Sequence, residues 1–222
     1  SAARTAIGTV GGGLSSLSGA ELGEIVIREA LLRATVSGVD VDEVHIAYCP
    51  ERVLPGKIMT ELEDNDRIVG GISPEATKAV ADFYRTFVRG SVLETDAKTA
   101  EMTKLIENSY RDVNIAFANE VDTICKKYSI NSKKLIKLSN FHPRVKIHEP
   151  GIGVGGHCIP VDPWFLLGDD KISNNSIIYN SRILNLKKEV ETYKSLHKIL
   201  NNKSKILFFG TTYKKNTDDI RN

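Results

Sequence analysis

From residue 45 onward the chain alternates short apolar runs with longer stretches of helical periodicity. His45-Ile-Ala-Tyr-Cys49 predicts a short strand, closed by the breaker-rich turn Pro50-Glu-Arg-Val-Leu-Pro-Gly56. Arg67-Ile-Val-Gly-Gly71 predicts a second strand, and Ser73-Pro74-Glu75 opens a helix with a cap and a first-turn proline. Ala76, Val80, Phe83, Tyr84 and Phe87 recur along one face of that helix. Ser91-Val-Leu-Glu-Thr95 then completes a strand–helix–strand unit suited to a parallel sheet. A long helix follows from about Asp96 to Tyr128, with Met102, Leu105, Ile106, Val113 and Phe117 as its apolar positions. After a glycine-rich loop comes a further helix, roughly Ser176 to Leu200. Ser204-Lys-Ile-Leu-Phe-Phe-Gly210 reads as the first strand of another α/β unit. The pattern predicts an α/β chain with a helical middle.

Residues 1–45 differ in character. The first lysine is Lys57, and seven of the 17 glycines fall before residue 46. Leu22, Ile25, Val26, Ala30 and Leu31 recur at helical spacing, which predicts an amphipathic helix over about Gly19–Ala34. Gly8-Thr-Val-Gly-Gly-Gly13 does not fit the dinucleotide pattern G-x-G-x-x-G, and no apolar strand precedes it. The shift in composition near residue 46 marks a boundary.

Composition narrows the function classes. The 222 residues are 41% hydrophobic with a net charge of +2, enough apolar material for a core. So even a balance gives no electrostatic footprint for nucleic acid or an anionic membrane. No apolar run reaches the length of a membrane span, and no signal-peptide pattern opens the chain. The three cysteines, 49, 125 and 158, are odd in number and widely spaced; they suggest neither disulfides nor a zinc site and fit a reducing cytoplasm.

Candidate chemistry concentrates in Gly151-Ile-Gly-Val-Gly-Gly-His-Cys-Ile-Pro-Val-Asp162. A lone cysteine is more often a small buried hydrophobe than a nucleophile. Here Cys158 ends a glycine-rich loop able to present backbone N–H groups, and Asp162 stands four residues on. Those are the parts for covalent chemistry on a carbonyl. On the long helix, Lys104 and Asn108 are four apart and share a face. Such a pair is ordinarily a solvated stripe, but in a closed site both could donate to a developing oxyanion.

Two resemblances follow from particular stretches. Ser1-Ala-Ala-Arg-Thr-Ala-Ile-Gly-Thr-Val-Gly-Gly-Gly13, Glu21–Ala30 and Val41-Asp-Glu-Val44 resemble the N-terminal segment of a thiolase, without any of that family's catalytic motifs. The chain therefore reads as chimeric. Residues 46–222 resemble the nucleotide-sugar 6-dehydrogenases, the UDP-glucose and GDP-mannose dehydrogenase family, and within it the branch acting on UDP-N-acetylmannosamine. The matching stretches are Ala47–Gly56, Ala100–Asn108 with Asn119-Glu120, Asn140–Val145, Gly151–Asp162 and Gly210–Arg221.

This resemblance implies NAD as cofactor, a UDP-sugar as substrate, a homodimer, and two-step oxidation of a sugar CH₂OH to a carboxylate. It implies the end of a Rossmann-like NAD-binding sheet at 46–95 and a helical dimerisation region carrying the cysteine loop at 96–200. The start of a UDP-binding Rossmann-like domain would lie at 201–222. Cys158 would be the nucleophile, forming a thiohemiacetal and then a thioester. Lys104 and Asn108 would stabilise the oxyanion, while Asp162 and Glu51 would serve the hydrolytic water. Arg144 would reach the neighbouring subunit's substrate. Gly153, Gly155 and Gly156 would line the sugar pocket, Tyr213 and Lys214 would contact substrate, and Arg221 the cofactor diphosphate. Pro55 and Val161 depart from the UDP-glucose enzymes, which carry a glutamate and a lysine there, and fit the N-acetylmannosamine branch better. The family's G-x-G-x-x-G unit is not found ahead of Ile46, which predicts negligible NAD reduction by this chain alone.

Overall fold

The computed structural model describes residues 28–29, 32–33, 45–53, 57–168, 175–201 and 204–207. The chain divides into two compact units, Ser1–Ile46 and Ala47–Asn222. In the first, residues 28–29 and 32–33 are helical, within the helix expected over Gly19–Ala34. One ion pair, Arg33 Nε to Glu29 Oε1 at 2.7 Å, joins successive turns there. The remainder of that expected helix lies outside the described residues.

The second unit begins with a three-stranded sheet in the order β1 (Ala47–Tyr48), β2 (Arg67–Gly71), β3 (Val92–Asp96). Strands β2 and β3 run parallel, pairing Arg67 with Val92 through to Gly71 with Asp96. β1 runs antiparallel to β2, so the sheet is mixed and not the parallel sheet expected. The physical reason lies in the connections. β2 and β3 are joined by a crossover helix, which parallel strands require, whereas β1 reaches β2 through a turn and a short helix.

Helix α1 (Ile58–Asp64) precedes β2, and α2 (Pro74–Arg85) forms the crossover. Ser73 caps α2 by accepting from the Ala76 N–H at 3.1 Å, with Pro74 opening the first turn. Its buried face is Ala76, Thr77 and Ala81, not the larger residues the periodicity put forward, and Phe83 is exposed. Small residues face the sheet because the approach is close. A Cβ at Gly70 would stand 2.4 Å from the Asp96 carbonyl oxygen and 2.6 Å from Ala100 Cβ. Gly70 thereby lets the start of the next helix sit directly on β2.

That helix, α3 (Ala97–Lys127), runs 31 residues. Asp96 caps it, accepting from the Thr99 N–H at 3.0 Å and from the Thr99 hydroxyl at 2.6 Å. The expected limits hold, but the expected apolar face does not become the core. Met102, Ile106 and Phe117 are exposed, while Ala100, Asn108, Ser109, Asp112, Ala116, Ala118, Asn119 and Cys125 are buried. Three further helices follow among the described residues: α4 (Ser132–Ser139), α5 (Asp162–Leu167) and α6 (Ile177–Ile199). Residues 204–207 form no strand. A strand needs a neighbour for its backbone groups, and among the described residues none flanks this segment. The rest of that expected strand, to Gly210, lies outside the described residues.

α3 and α6 meet through polar groups. Arg182 Nη1 donates to Asp112 Oδ1 at 2.5 Å, and Asn185 Nδ2 donates to the same oxygen at 2.9 Å and to the Asp112 carbonyl at 3.0 Å. Asn119 Nδ2 donates to Asn185 Oδ1 at 3.2 Å. Arg182, Asn185 and Asp112 have no solvent exposure. No described helix is long and apolar enough to cross a membrane.

Candidate active site

Three segments converge on Cys158. The first is the turn after β1, carrying Glu51. The second is the N-terminal half of α3, carrying Lys104 and Asn108. The third is the loop from Gly151 to the start of α5, where Asp162 is the first helical residue. This loop is anchored at its beginning, because the Gly151 N–H donates to Asn119 Oδ1 at 2.9 Å. The buried α3–α6 network therefore extends to the base of the cysteine loop. Gly153 sits beneath Glu189 of α6; a Cβ there would meet Glu189 Cγ at 2.6 Å. Gly156 adopts φ 91°, a left-handed conformation that a side chain would strain. At the far end the Cys158 carbonyl accepts from the Val161 and Asp162 N–H groups at 3.0 and 2.9 Å, and α5 begins.

Cys158 is exposed, unlike Cys125, which is buried, so it is not the small buried hydrophobe that lone cysteines usually are. Partial burial of the thiol, and then the charge of Asp162, push its pKa up, while the Lys104 ammonium pulls it down. His157 Nδ1 lies 3.0 Å from Cys158 Sγ. Asn108 is buried and donates from Nδ2 to Asp162 Oδ2 at 2.5 Å, across 54 residues of sequence. Lys104 Nζ donates to the Glu51 carbonyl at 2.7 Å. Both candidate oxyanion donors are thus held by protein acceptors that a ligand oxygen could replace.

The Glu51 carboxylate accepts from the Arg52 and Val53 N–H groups at 2.7 and 3.0 Å and from Arg67 Nη1 at 2.9 Å. Burial raises its pKa, but the Arg67 guanidinium and the two backbone donors outweigh that, leaving it lowered. Arg67 is buried and also donates from Nη2 to the carbonyls of Glu61 and Leu62. Glu51 therefore reaches Lys104 through its backbone, with its carboxylate turned to Arg67. Arg52 pairs with Glu107 of α3 and ties the same turn to the helix.

Arg144 is exposed, beyond α4, where its N–H donates to His142 Nδ1 at 3.3 Å. No contact joins it to the Cys158 cluster among the described residues. Gly155 is exposed and Gly153 and Gly156 half-buried in the loop itself. Tyr213, Lys214 and Arg221 lie outside the described residues.

Residues that sequence reasoning passed over complete the picture. Tyr48 stands near enough to Asp162 and Glu101 that, after burial, their charges raise its pKa. Asn119 and Arg67 hold the two loops that carry Cys158 and Glu51. The only available signal for Asn119 is its place in a stretch already matched to a family. For Arg67 there is none, since it opens an apolar strand.

A thiol flanked by an ammonium, an amide and a carboxylate can hold a carbonyl adduct but takes up no electrons. Such a donor set fits a site completed by a hydride acceptor such as NAD. The carboxyl ends of the parallel strands, at Gly71 and Asp96, are where an open α/β sheet receives a nucleotide.

Comparison with known proteins bears on both halves. Residues 98–189 match the central domain of the UDP-glucose/GDP-mannose dehydrogenase family, and residues 22–88 match that family's NAD binding domain. The second match takes in residues 22–45 and gives no support to the thiolase resemblance of that segment. The UDP-N-acetyl-D-mannosamine dehydrogenase of Methanocaldococcus jannaschii is 48% identical over 180 residues, 81% of this chain and 42% of that protein. The enzyme of the same name from Escherichia coli K12 is 44% identical over 195 residues, 81% of this chain and 45% of that protein. Among solved structures, the UDP-D-ManNAc dehydrogenase of Pyrococcus horikoshii superposes with TM-score 0.73 at 43% identity, covering 90% of this chain and 48% of that one. The chain spans less than half the length of these relatives. Two domain matches of one family, with a cysteine, lysine, asparagine and aspartate brought together in space, lead to one assignment: the chain belongs to the UDP-glucose/GDP-mannose dehydrogenase family of NAD-dependent oxidoreductases.

Proposed function

We propose that this chain carries the covalent centre for oxidising the C6 hydroxymethyl of a UDP-sugar to a carboxylate, with UDP-N-acetylmannosamine as the substrate. The observation that carries the reading is the convergence of Cys158, Lys104, Asn108 and Asp162 from segments about fifty residues apart. The substrate assignment is supported by the relatives at 44–48% identity named for that sugar. An NDP-N-acetyl-D-galactosaminuronic acid dehydrogenase of Ralstonia nicotianae is 45% identical over 188 residues and supplies the competing substrate.

Bound NAD supplies the hydride acceptor. Everything else falls to the chain. Cys158 adds to the C6 aldehyde and holds it as a thiohemiacetal, later a thioester. The Lys104 ammonium turns from the Glu51 carbonyl to the developing oxyanion, and the Asn108 amide turns from Asp162. Asp162, once released, orders the hydrolytic water, and Glu51 assists from the adjoining turn. Gly153, Gly155 and Gly156 line the sugar. Arg144 reaches a neighbouring subunit's substrate, since it stands away from its own Cys158. Tyr213 and Lys214 contact the substrate and Arg221 the cofactor diphosphate.

A homodimer built on α3 accounts for that helix's outer face. Met102, Ile106, Tyr110, Phe117, Ile124 and Tyr128 are all about half exposed or more, at spacings that keep to one stripe. A groove of about 420 Å³ beside Lys98, Met102 and Ile106 offers a seat for a second copy. So long an apolar stripe left to water is the mark of an interaction surface.

The experiment joins this chain to the complementary N- and C-terminal portions of the Methanocaldococcus jannaschii relative. UDP-N-acetylmannosamine and its galacto isomer are then offered with NAD, and acid formation is followed by mass spectrometry. Oxidation of the manno sugar that Cys158→Ala abolishes is the expected result. Oxidation to the acid at an undiminished rate by Cys158→Ala would sink the assignment.

A further inference from the structure

Every thiol that adds to a carbonyl must lose its proton, and the site described so far names no group to take it. Asp162 is occupied by Asn108, and its charge opposes thiolate formation. Lys104 favours the thiolate through its charge but, as an ammonium, has no lone pair to accept a proton. His157 is different. Its Nδ1 stands 3.0 Å from Cys158 Sγ, within hydrogen-bond reach for sulfur, and its ring is exposed to solvent. Adjacent residues ordinarily point apart. Here the backbone bends through residues 156–158, and the two side chains meet.

We infer that His157 is a further catalytic residue, the base that receives the Cys158 proton as the sulfur attacks. The inference rests on the reading of Cys158 as the nucleophile. In the step, the S–H bond breaks and an N–H bond forms on Nδ1. A sulfur lone pair bonds to the aldehyde carbon, and the carbonyl π pair moves onto oxygen beside Lys104 and Asn108. The imidazole must enter with its proton on Nε2, and the resulting imidazolium holds the proton taken from sulfur. The charged groups facing the sulfur are Lys104 from α3 and Asp162 from α5. Lys104 offers no lone pair, and Asp162 Oδ2 already accepts from Asn108.

Iodoacetamide tests this on the full chain, because alkylation of Cys158 needs the same deprotonation and neither sugar nor cofactor. The modified site is identified by mass spectrometry, which separates it from half-buried Cys49 and buried Cys125. His157→Asn and His157→Gln keep a polar side chain that cannot take the proton. Circular dichroism and the melting temperature establish that each variant is folded. Cys158 in the unaltered chain should show a labelling profile against pH that both variants lose. Near pH 7 it should label roughly tenfold faster than in either variant. The difference should vanish at high pH, where the thiol ionises by itself. Parallel profiles within about twofold, in whichever variant folds, would overturn the inference. Asp162→Asn should instead speed labelling, since it removes an opposing charge. Failure of the nucleophile reading would appear separately, as a completed enzyme that oxidises its sugar without Cys158 while the His157-dependent labelling persists.

Discussion

Asn108 and Asp112 sit one turn apart on the same helix, both buried, and their surroundings set them to opposite tasks. Asn108 gives its amide to Asp162, at the edge of a cluster whose thiol reaches solvent. Asp112 is sealed between α3 and α6, where Arg182 and Asn185 both donate to one of its oxygens. Its second oxygen, the Ser109 hydroxyl, and Nε and Nη2 of Arg182 are buried with no hydrogen-bond partner among the described residues. One polar group is held by a partner that a ligand can displace. The other is held where no ligand reaches, and its value is to fix the helix pair and, through Asn185 and Asn119, the base of the cysteine loop. A single helix thus separates chemistry from scaffolding within four residues.

The comparison makes unequal predictions. The largest concern the open end. In the completed enzyme, Cys158→Ala should abolish acid formation, and Lys104→Ala should cut kcat by roughly 10²–10³, the usual loss for one oxyanion donor. Neither should lower the melting temperature appreciably, because both side chains are at least partly exposed. Asn108→Ala should cost activity less than Lys104→Ala if the lysine charge dominates, since charged donors make the stronger hydrogen bonds.

At the sealed end the order reverses. Arg182→Met leaves Asp112 charged, buried and unpaired, which should cost about 3–5 kcal/mol in urea unfolding. Adding Asp112→Leu should return most of that loss, because removing both charges spares the desolvation that one alone must bear. A double variant no better than the single one would show that the ion pair is not the issue.

Asn119→Ala is a smaller perturbation and sharpens the link between the two ends. It leaves buried Asn185 Oδ1 without its donor, at about 1–3 kcal/mol for an unsatisfied buried group, and releases the Gly151 N–H from Asn119. Proteolysis should then quicken within Gly151–Asp162 before it quickens elsewhere. Uniform cleavage across the chain would break the proposed connection.

The smallest effect is one of pH, and its sign differs between the two acids. Glu51 has a lowered pKa: after the opposing effect of burial, Arg67 and two backbone donors hold its ionised form. Its contribution to stability is present above its ordinary value and is lost as pH falls through the folded one. Asp112 has a raised pKa, because burial outweighs Arg182 and Asn185. It binds its proton more tightly when folded, so it favours folding below its ordinary value and loses that advantage as pH rises through the folded one. Removing Glu51 (Glu51→Gln) should therefore flatten the loss of stability on acidification, and Asp112→Asn should steepen it. Unfolding free energies between pH 3 and pH 7 check both signs.

How much of this was legible beforehand depends on distance along the chain. Local chemistry was readable: Ser73 with Pro74, Asp96 and Ser176 mark helix starts, and all three accept the capping bond. The limits of α3 and α6 followed from periodicity and caps to within a residue or so. The candidate cysteine, lysine, asparagine and aspartate were found because two lay in one loop and two at helical spacing. By itself the sequence determined the long helices α3 and α6, the parallel β2–α2–β3 unit and the chemical inventory, because caps, breakers and periodicity act over a few residues; the short helices α1, α4 and α5 were not foreseen. Only the tertiary structure decided that β1 runs antiparallel, that small and polar residues of α3 face inward while Met102 and Phe117 face out, and that Asp112 meets Arg182 across seventy residues. Those outcomes depend on which surfaces meet. A residue's hydrophobicity states what burial would gain, but the partner across the interface decides whether it is buried at all.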